Sequence, residues 1–156
     1  ILIISLVLSG CRQKCAFTPL VRGISFTCTV QYYNELYEGA VSVAKNGDTD
    51  IEITSPEGLA GLKLHFKGDA VTAEYSGLNY NASLSEMPEG MAFTCLYEIL
   101  RDTKGGEVSL ENDKYFTESK SGSRRYRLYL GATGLPISAE DPSSGFSAEF
   151  KKASVN

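Results

Sequence analysis

One histidine in 156 residues is a narrow base for catalysis. His65 lies between Lys63 and Lys67 on a polar stretch, no cysteine pair has the Cys-x-x-Cys spacing, and Gly-x-Ser-x-Gly is absent. The usual metal and nucleophile constellations are therefore missing, so no catalytic residue, metal ligand or cofactor is assigned. His65 is expected to be a solvent-exposed structural residue. No long basic run is present, and a net charge of -4 with a pI near 5.1 argues against nucleic acid as a partner. No apolar run reaches the roughly 20 residues needed to cross a bilayer as a helix. Internal repeats and low-complexity segments are absent as well.

The N-terminal end is apolar but short. Seven of the eight residues Ile1 to Leu8 are apolar, the size of a secretion-signal core. They run into Leu8-Ser9-Gly10-Cys11 and then turn polar at Arg12, Gln13 and Lys14. A leucine, two small residues and a cysteine resemble the lipobox of bacterial lipoproteins. That resemblance implies cleavage between Gly10 and Cys11 and lipid attachment on the Cys11 thiol. With no Met or basic segment before Ile1, the signal is expected to begin upstream. The expected organisation is a signal remnant over 1–10, a lipidated tether over 11–21 and one domain over 22–152. The implied location is extracytoplasmic, held to a cell membrane by the N-terminal lipid. The alternative is a buried N-terminal strand with a chance cysteine.

Three cysteines then remain, an odd number that excludes a complete set of internal disulfides. Cys28 falls in a strand pattern and Cys95 in a helix pattern, so both are expected to be buried thiols.

From residue 24 the chain alternates. Ile24, Phe26, Cys28, Val30 and Tyr32 share one face, the mark of a half-buried strand. A turn at Asn34-Glu35 leads to a strand through Val41 and Val43, and Asn46-Gly47-Asp48 marks a hairpin. Further strands carry Ile51 and Ile53, then Leu62, Leu64 and Phe66, then Val71, Ala73 and Tyr75, then Leu78 to Leu84. Between 89 and 102 the alternation stops, and Met91, Phe93, Cys95, Leu96, Ile99 and Leu100 recur at helical spacing. Strands resume near Val108, over Tyr115 to Glu118, over Arg124 to Leu130, and last at Phe146, Ala148 and Phe150. Thr133-Gly134-Leu135-Pro136 and a Pro/Ser-rich stretch read as turns. The fold class is mainly β: about ten antiparallel strands in a strongly curved half-barrel sheet wrapped around one central helix.

This order of elements resembles the LolA/LolB superfamily of bacterial lipoproteins and lipoprotein carriers. The matching pieces are the turn Ser55-Pro56-Glu57-Gly58, the mid-chain helix, and Thr133-Gly134-Leu135-Pro136. The resemblance covers about residues 22 to 152 and implies an incomplete barrel that binds acyl chains inside. One departure is plain: where LolB loops carry a leucine between proline and glycine, this chain has Glu57, and the nearest apolar residue is Leu59. Leu59 is the candidate for membrane contact.

The expected function is that of a membrane-anchored, non-enzymatic lipoprotein with an apolar cavity for a lipid, fatty-acyl or lipopeptide ligand. The cavity candidates are Phe26, Val30, Val41, Leu64, Phe66, Tyr75, Phe93, Leu96 and Leu100. The alternative is a structural or regulatory interaction lipoprotein of the cell envelope, its core filled by its own side chains. Arg124, Arg125 and Arg127 are either a contact for anionic lipid or, preferably, a solvated strand face paired with acids across the sheet.

Overall fold

The computed structural model describes residues 13–87, 91–103, 105–121 and 124–156, so the signal remnant and Cys11 lie outside the described residues. In chain order the strands are β1 (Gln13–Lys14), β2 (Ile24–Tyr32), β3 (Glu35–Val43), β4 (Thr49–Ser55), β5 (Lys63–Lys67), β6 (Ala70–Tyr75) and β7 (Leu78–Ser83). One helix, α1 (Ala92–Asp102), follows. Then come β8 (Ser109–Glu111), β9 (Lys114–Ser121), β10 (Arg124–Leu130), β11 (Pro136–Asp141) and β12 (Phe146–Val155).

All twelve strands form one sheet in the order β1-β8-β9-β10-β11-β12-β2-β3-β4-β5-β6-β7, with every neighbouring pair antiparallel. The sheet does not close, since β1 and β7 are its edges. The half-barrel with a single helix is the fold found. Among the described residues no helix is long and apolar enough to cross a membrane.

The alternation in the sequence sets the inner face. Ile24, Val43, Thr49, Phe66 and Val71 pair in one row across five strands. Phe26, Val41, Ile51 and Leu64 pair in the next. Every one of these side chains is buried. Because strand side chains repeat with period two, each row keeps its apolar members on the same side of the sheet. The hairpin at Asn46-Gly47-Asp48 forms as its residues require: Gly47 sits at φ +97°, and Ala44 N donates to Asp48 O at 2.8 Å.

α1 is buried nearly all round. Ala92 through Tyr97 are buried without interruption, and only Glu98, Arg101 and Asp102 of its eleven residues are partly open. A one-sided amphipathic helix would expose every third or fourth residue; here the sheet curves around it. Its backbone lies nearest β9, β2 and β12. At the C-terminus the Ile99 carbonyl accepts from both Thr103 N at 3.1 Å and Thr103 Oγ1 at 2.7 Å, which fastens the last turn.

Two strands differ from expectation. Gln13–Lys14, expected in the tether, pairs with β8, and Cys15 N extends the pairing to Val108 O at 2.8 Å. The segment is too short and polar to show a period. β11 fills the stretch between the turn at Thr133-Gly134-Leu135-Pro136 and the Pro/Ser-rich turn, where the sequence reading named no strand residues. Its exposed residue is Ile137 while Pro136 and Ala139 are buried, which inverts the usual hydropathy pattern. Pro136 heads the strand, where a missing N–H is tolerated. The turn placed at Asn34-Glu35 lies one residue earlier, with Tyr33 at φ +52° and Glu35 already in β3.

Candidate functional site

The space between α1 and the inner face gathers most of the residues singled out from the sequence. Phe26, Val30, Val41, Leu64, Phe66, Phe93, Leu96 and Leu100 are each no more than 3% exposed. They touch one another closely. Phe66 stacks on Tyr97 with centroids 4.4 Å apart, Phe26 meets Phe150 at 4.8 Å, and Phe93 meets Tyr37 edge-on at 6.1 Å. The Tyr97 hydroxyl, carried into this apolar layer, donates to Gly68 O at 2.8 Å. Burial lifts the Tyr97 phenol above its ordinary pKa. In this arrangement the helix side chains fill the hollow of the half-barrel.

Tyr75 departs from the group. It is 42% exposed at the end of β6, so it does not join the interior. β6 and β7 are the last two strands of the sheet, beyond the strands that α1 lies against. Burial along β6 fades after Val71, through Thr72, Ala73 and Glu74 to the exposed Tyr75. The Tyr75 hydroxyl donates to Gly58 O at 3.5 Å, which brings it beside the loop carrying Leu59. Leu59 itself is 37% exposed, and Leu78, the register partner of Tyr75, is 76% exposed. These side chains make an apolar surface patch at one edge of the sheet.

The three arginines divide by the period of β10. Arg127 points outward and pairs with Glu118, its cross-strand partner, at 2.8 Å, as the reading of a paired strand face expected. Arg125 instead stands opposite Lys120. Arg124 turns to the inner side and donates to Cys95 Sγ of α1 at 3.1 Å. The Tyr126 hydroxyl donates to Glu98 of α1 at 3.3 Å. Nearby, Asp141 is buried, and its Oδ1 accepts from Ser143 N at 2.9 Å while its Oδ2 has no partner. Burial alone would raise the Asp141 carboxyl, but hydrogen bonds from Ser143 outweigh it and hold the group below its ordinary value. Sequence reasoning missed this polar seam because its members come from three separated segments. The only local signal was period two in Arg124, Tyr126 and Leu128.

Among the described residues Cys28 and Cys95 are free thiols, both buried as expected. Burial pushes the Cys28 thiol up to about 12 and raises Cys95 as well.

His65 is half-exposed on the outer face, where the sequence placed it, but it has a partner: its Nδ1 lies 2.6 Å from Asp50 Oδ1. Around this pair the outer face holds a groove of about 480 Å³ crossing β12, β2, β3, β4 and β5. Its floor is formed by Ser25, Thr27, Ala40 and Ser42, which register as two adjacent pairs. The groove was illegible in the sequence, since short polar residues at alternate strand positions look like any solvated face.

No protein-family model matches the chain, and no curated protein matches it. Among solved structures, an uncharacterized conserved protein from Thermus thermophilus is similar over 88% of this chain and 80% of that one, with a TM-score of 0.53 at 12% identity. A LolA superfamily protein from Nitrosomonas europaea aligns over 85% of this chain and 84% of its own, with a TM-score of 0.46 at 13% identity. A putative outer membrane lipoprotein-sorting protein domain from Vibrio parahaemolyticus aligns over 86% of each chain, with a TM-score of 0.44 at 11% identity. The first likeness shows the fold alone, and the two weaker ones carry no argument about ligands or partners.

Proposed function

We propose that this chain is an extracytoplasmic, non-enzymatic lipoprotein, held to a membrane by lipid on Cys11. Its half-barrel takes an acyl chain or acylated partner in the place that α1 fills. The observation that carries the reading is the cover over the apolar inner face: a single eleven-residue helix on an unclosed sheet. Among the described residues few polar bonds fasten that helix to the sheet and its loops, chiefly Tyr97 to Gly68, Arg101 to Asp69, Arg124 to Cys95 and Tyr126 to Glu98.

The energies of such an exchange are of similar size. A long acyl chain gains ~0.8 kcal/mol per buried methylene, or ~12 kcal/mol for about fifteen of them. The four large aliphatic and phenyl side chains of α1, Phe93, Leu96, Ile99 and Leu100, contribute ~1.5–3 kcal/mol each when buried. Arg124, bonded to a thiol at the end of the inner face, is the cation that an anionic head group would meet.

A second reading has its own observation. All the candidate cavity residues but Tyr75 are buried against the chain's own side chains, which favours an envelope interaction module with a self-filled core. Titration with a fluorescent fatty acid, a phospholipid and a lipopeptide separates the two. Saturable binding at micromolar levels, with faster amide exchange in α1 on binding, is expected for the acyl-binding reading. No saturable binding of any of the three ligands would end the acyl-binding reading and leave the interaction module.

A further inference from the structure

The two edges of the sheet differ. At one, β1 is only two residues long, Gln13 and Lys14. At the other, β7 presents Leu78-Asn79-Tyr80-Asn81-Ala82-Ser83, with no charge, no proline and no bulge in its pairing with β6. Sheets commonly blunt a free edge with one of those devices, because an unpaired strand is a template for another. The hairpin decides which main-chain groups of β7 are free. Ser76 at φ +51° and Gly77 at φ +78° join Tyr75 to Leu78 in a two-residue turn. Leu84 N donates to Asp69 O at 2.7 Å, so the even-numbered residues bond inward to β6. The odd-numbered ones turn their N–H and C=O groups away from the sheet. Ser83 N is taken by Glu86 Oε2 at 2.7 Å. Asn79 and Asn81 are left, each with a free donor and acceptor, and among the described residues nothing pairs with them on that side.

We propose that β7 pairs with β7 of a second copy of this chain, antiparallel about a two-fold axis at Tyr80. The strand's own sequence points to a copy rather than a foreign strand. Outward from Tyr80 it reads asparagine and then an apolar residue in both directions, Asn79 and Leu78 one way, Asn81 and Ala82 the other. Pairing about Tyr80 therefore sets Asn79 opposite Asn81, Leu78 opposite Ala82, and Tyr80 opposite its own copy. A two-fold interface requires such self-complementarity. This register also uses every free group, since each Asn79–Asn81 pair exchanges both main-chain bonds. Moving the axis to Asn81 would set Asn79 against Ser83, whose N–H is occupied. Moving it to Asn79 would set Asn81 against Gly77 in the turn. Tyr80 falls at a non-hydrogen-bonded pair, where facing side chains come closest. It is 66% exposed in the single chain, so the pairing withdraws an aromatic ring from water. No like charges meet, because β7 carries none. The interface is separate from the interior and goes beyond the acyl-binding reading.

Disulfide cross-linking of the full chain tests both the partner and the register, with the wild type as the blank for native thiols. In Tyr80→Cys the two new thiols stand at a pair with Cα atoms ~4.5 Å apart, inside the ~4.4–6.8 Å a disulfide spans. In Leu78→Cys the copies lie four residues apart along the strands, ~13 Å. Leu78 is the more exposed of the two, at 76%, so random collision would favour it. Under mild oxidation, Tyr80→Cys should form the covalent dimer at least tenfold faster than Leu78→Cys. Asn81→Pro removes an outward N–H at an edge, where proline is tolerated, and in the Tyr80→Cys background should slow the reaction at least tenfold. Should that variant fail to fold, Tyr80→Lys sets like charges face to face on an exposed site. Sedimentation should then show a dimer for the wild type and a monomer for Tyr80→Lys. Equal cross-linking rates at positions 78 and 80, an unchanged rate in a folded Asn81→Pro variant, or a wild type that sediments as a monomer would overturn the pairing. None of these outcomes touches the acyl-binding reading.

Discussion

Phe93 packs its ring where a side chain on Gly39 would stand: a Cβ there would lie 3.2 Å from Phe93 Cε1 and 3.0 Å from the Glu52 carbonyl oxygen. Gly39 is buried on β3, opposite Cys28 on one side and Ile53 on the other, at a register shift in the β3–β4 pairing. The requirement is one of space. By having no side chain, Gly39 lets α1 sit down onto the sheet.

Gly39→Ala should therefore destabilise the protein by ~1–3 kcal/mol, the range for an overpacked core. Urea melts followed by circular dichroism will show it. Adding Phe93→Leu should recover part of the loss, because contacting residues couple. A Gly39→Ala protein as stable as wild type would mean that the helix does not seat on this residue.

Stability should fall at alkaline pH. The Cys28 thiol, ordinarily near 9.0, is pushed up to about 12 by burial. Its folded pKa lies above its unfolded one, so the neutral thiol stabilises the fold. That contribution is fully present below about pH 9 and is lost as pH rises towards 12. Denaturant midpoints at several pH values above 9 should decline less steeply in Cys28→Ala than in wild type. Tyr126 and Cys95, both raised by burial, will leave some decline in the variant. Parallel pH profiles for the two proteins would refute the assignment.

Replacing Cys11 with Ser should leave the protein unlipidated and largely released from the membrane fraction. Fatty-acid labelling and fractionation of cells expressing the protein measure both effects. If Cys11→Ser stays membrane-bound and labelled, the anchor is not Cys11.

Leu59 sits on an exposed loop beside Tyr75, so it tests the apolar patch at the β6–β7 edge as a membrane contact. In a Cys11→Ser background, Leu59→Glu should reduce co-sedimentation with phospholipid vesicles and leave thermal unfolding unchanged. Equal sedimentation of the two proteins would remove the loop from the proposal.

The inner face of the sheet was legible because it is written locally. Ile24 to Tyr32 and Ile51 to Ile53 alternate with period two, and that period alone decides which side chains share a side. The helix between Ala92 and Asp102 was legible for the same reason, as was the hairpin at Gly47. Other features depend on distant partners. Tyr75 keeps the period of its strand, yet it is exposed because the helix lies against other strands. Arg124 reads as one of three like residues until α1 places Cys95 beside it. Ile137 looks like core and is exposed, because the β10–β11 register shifts between the Tyr129–Ser138 and Leu130–Pro136 pairs, so that Pro136 and Ala139 are buried and Ile137 is not. Asp50 and His65, fifteen residues apart, meet only through the register of β4 and β5. Local periodicity fixed which residues could face inward; the order and curvature of the strands decided which of them met.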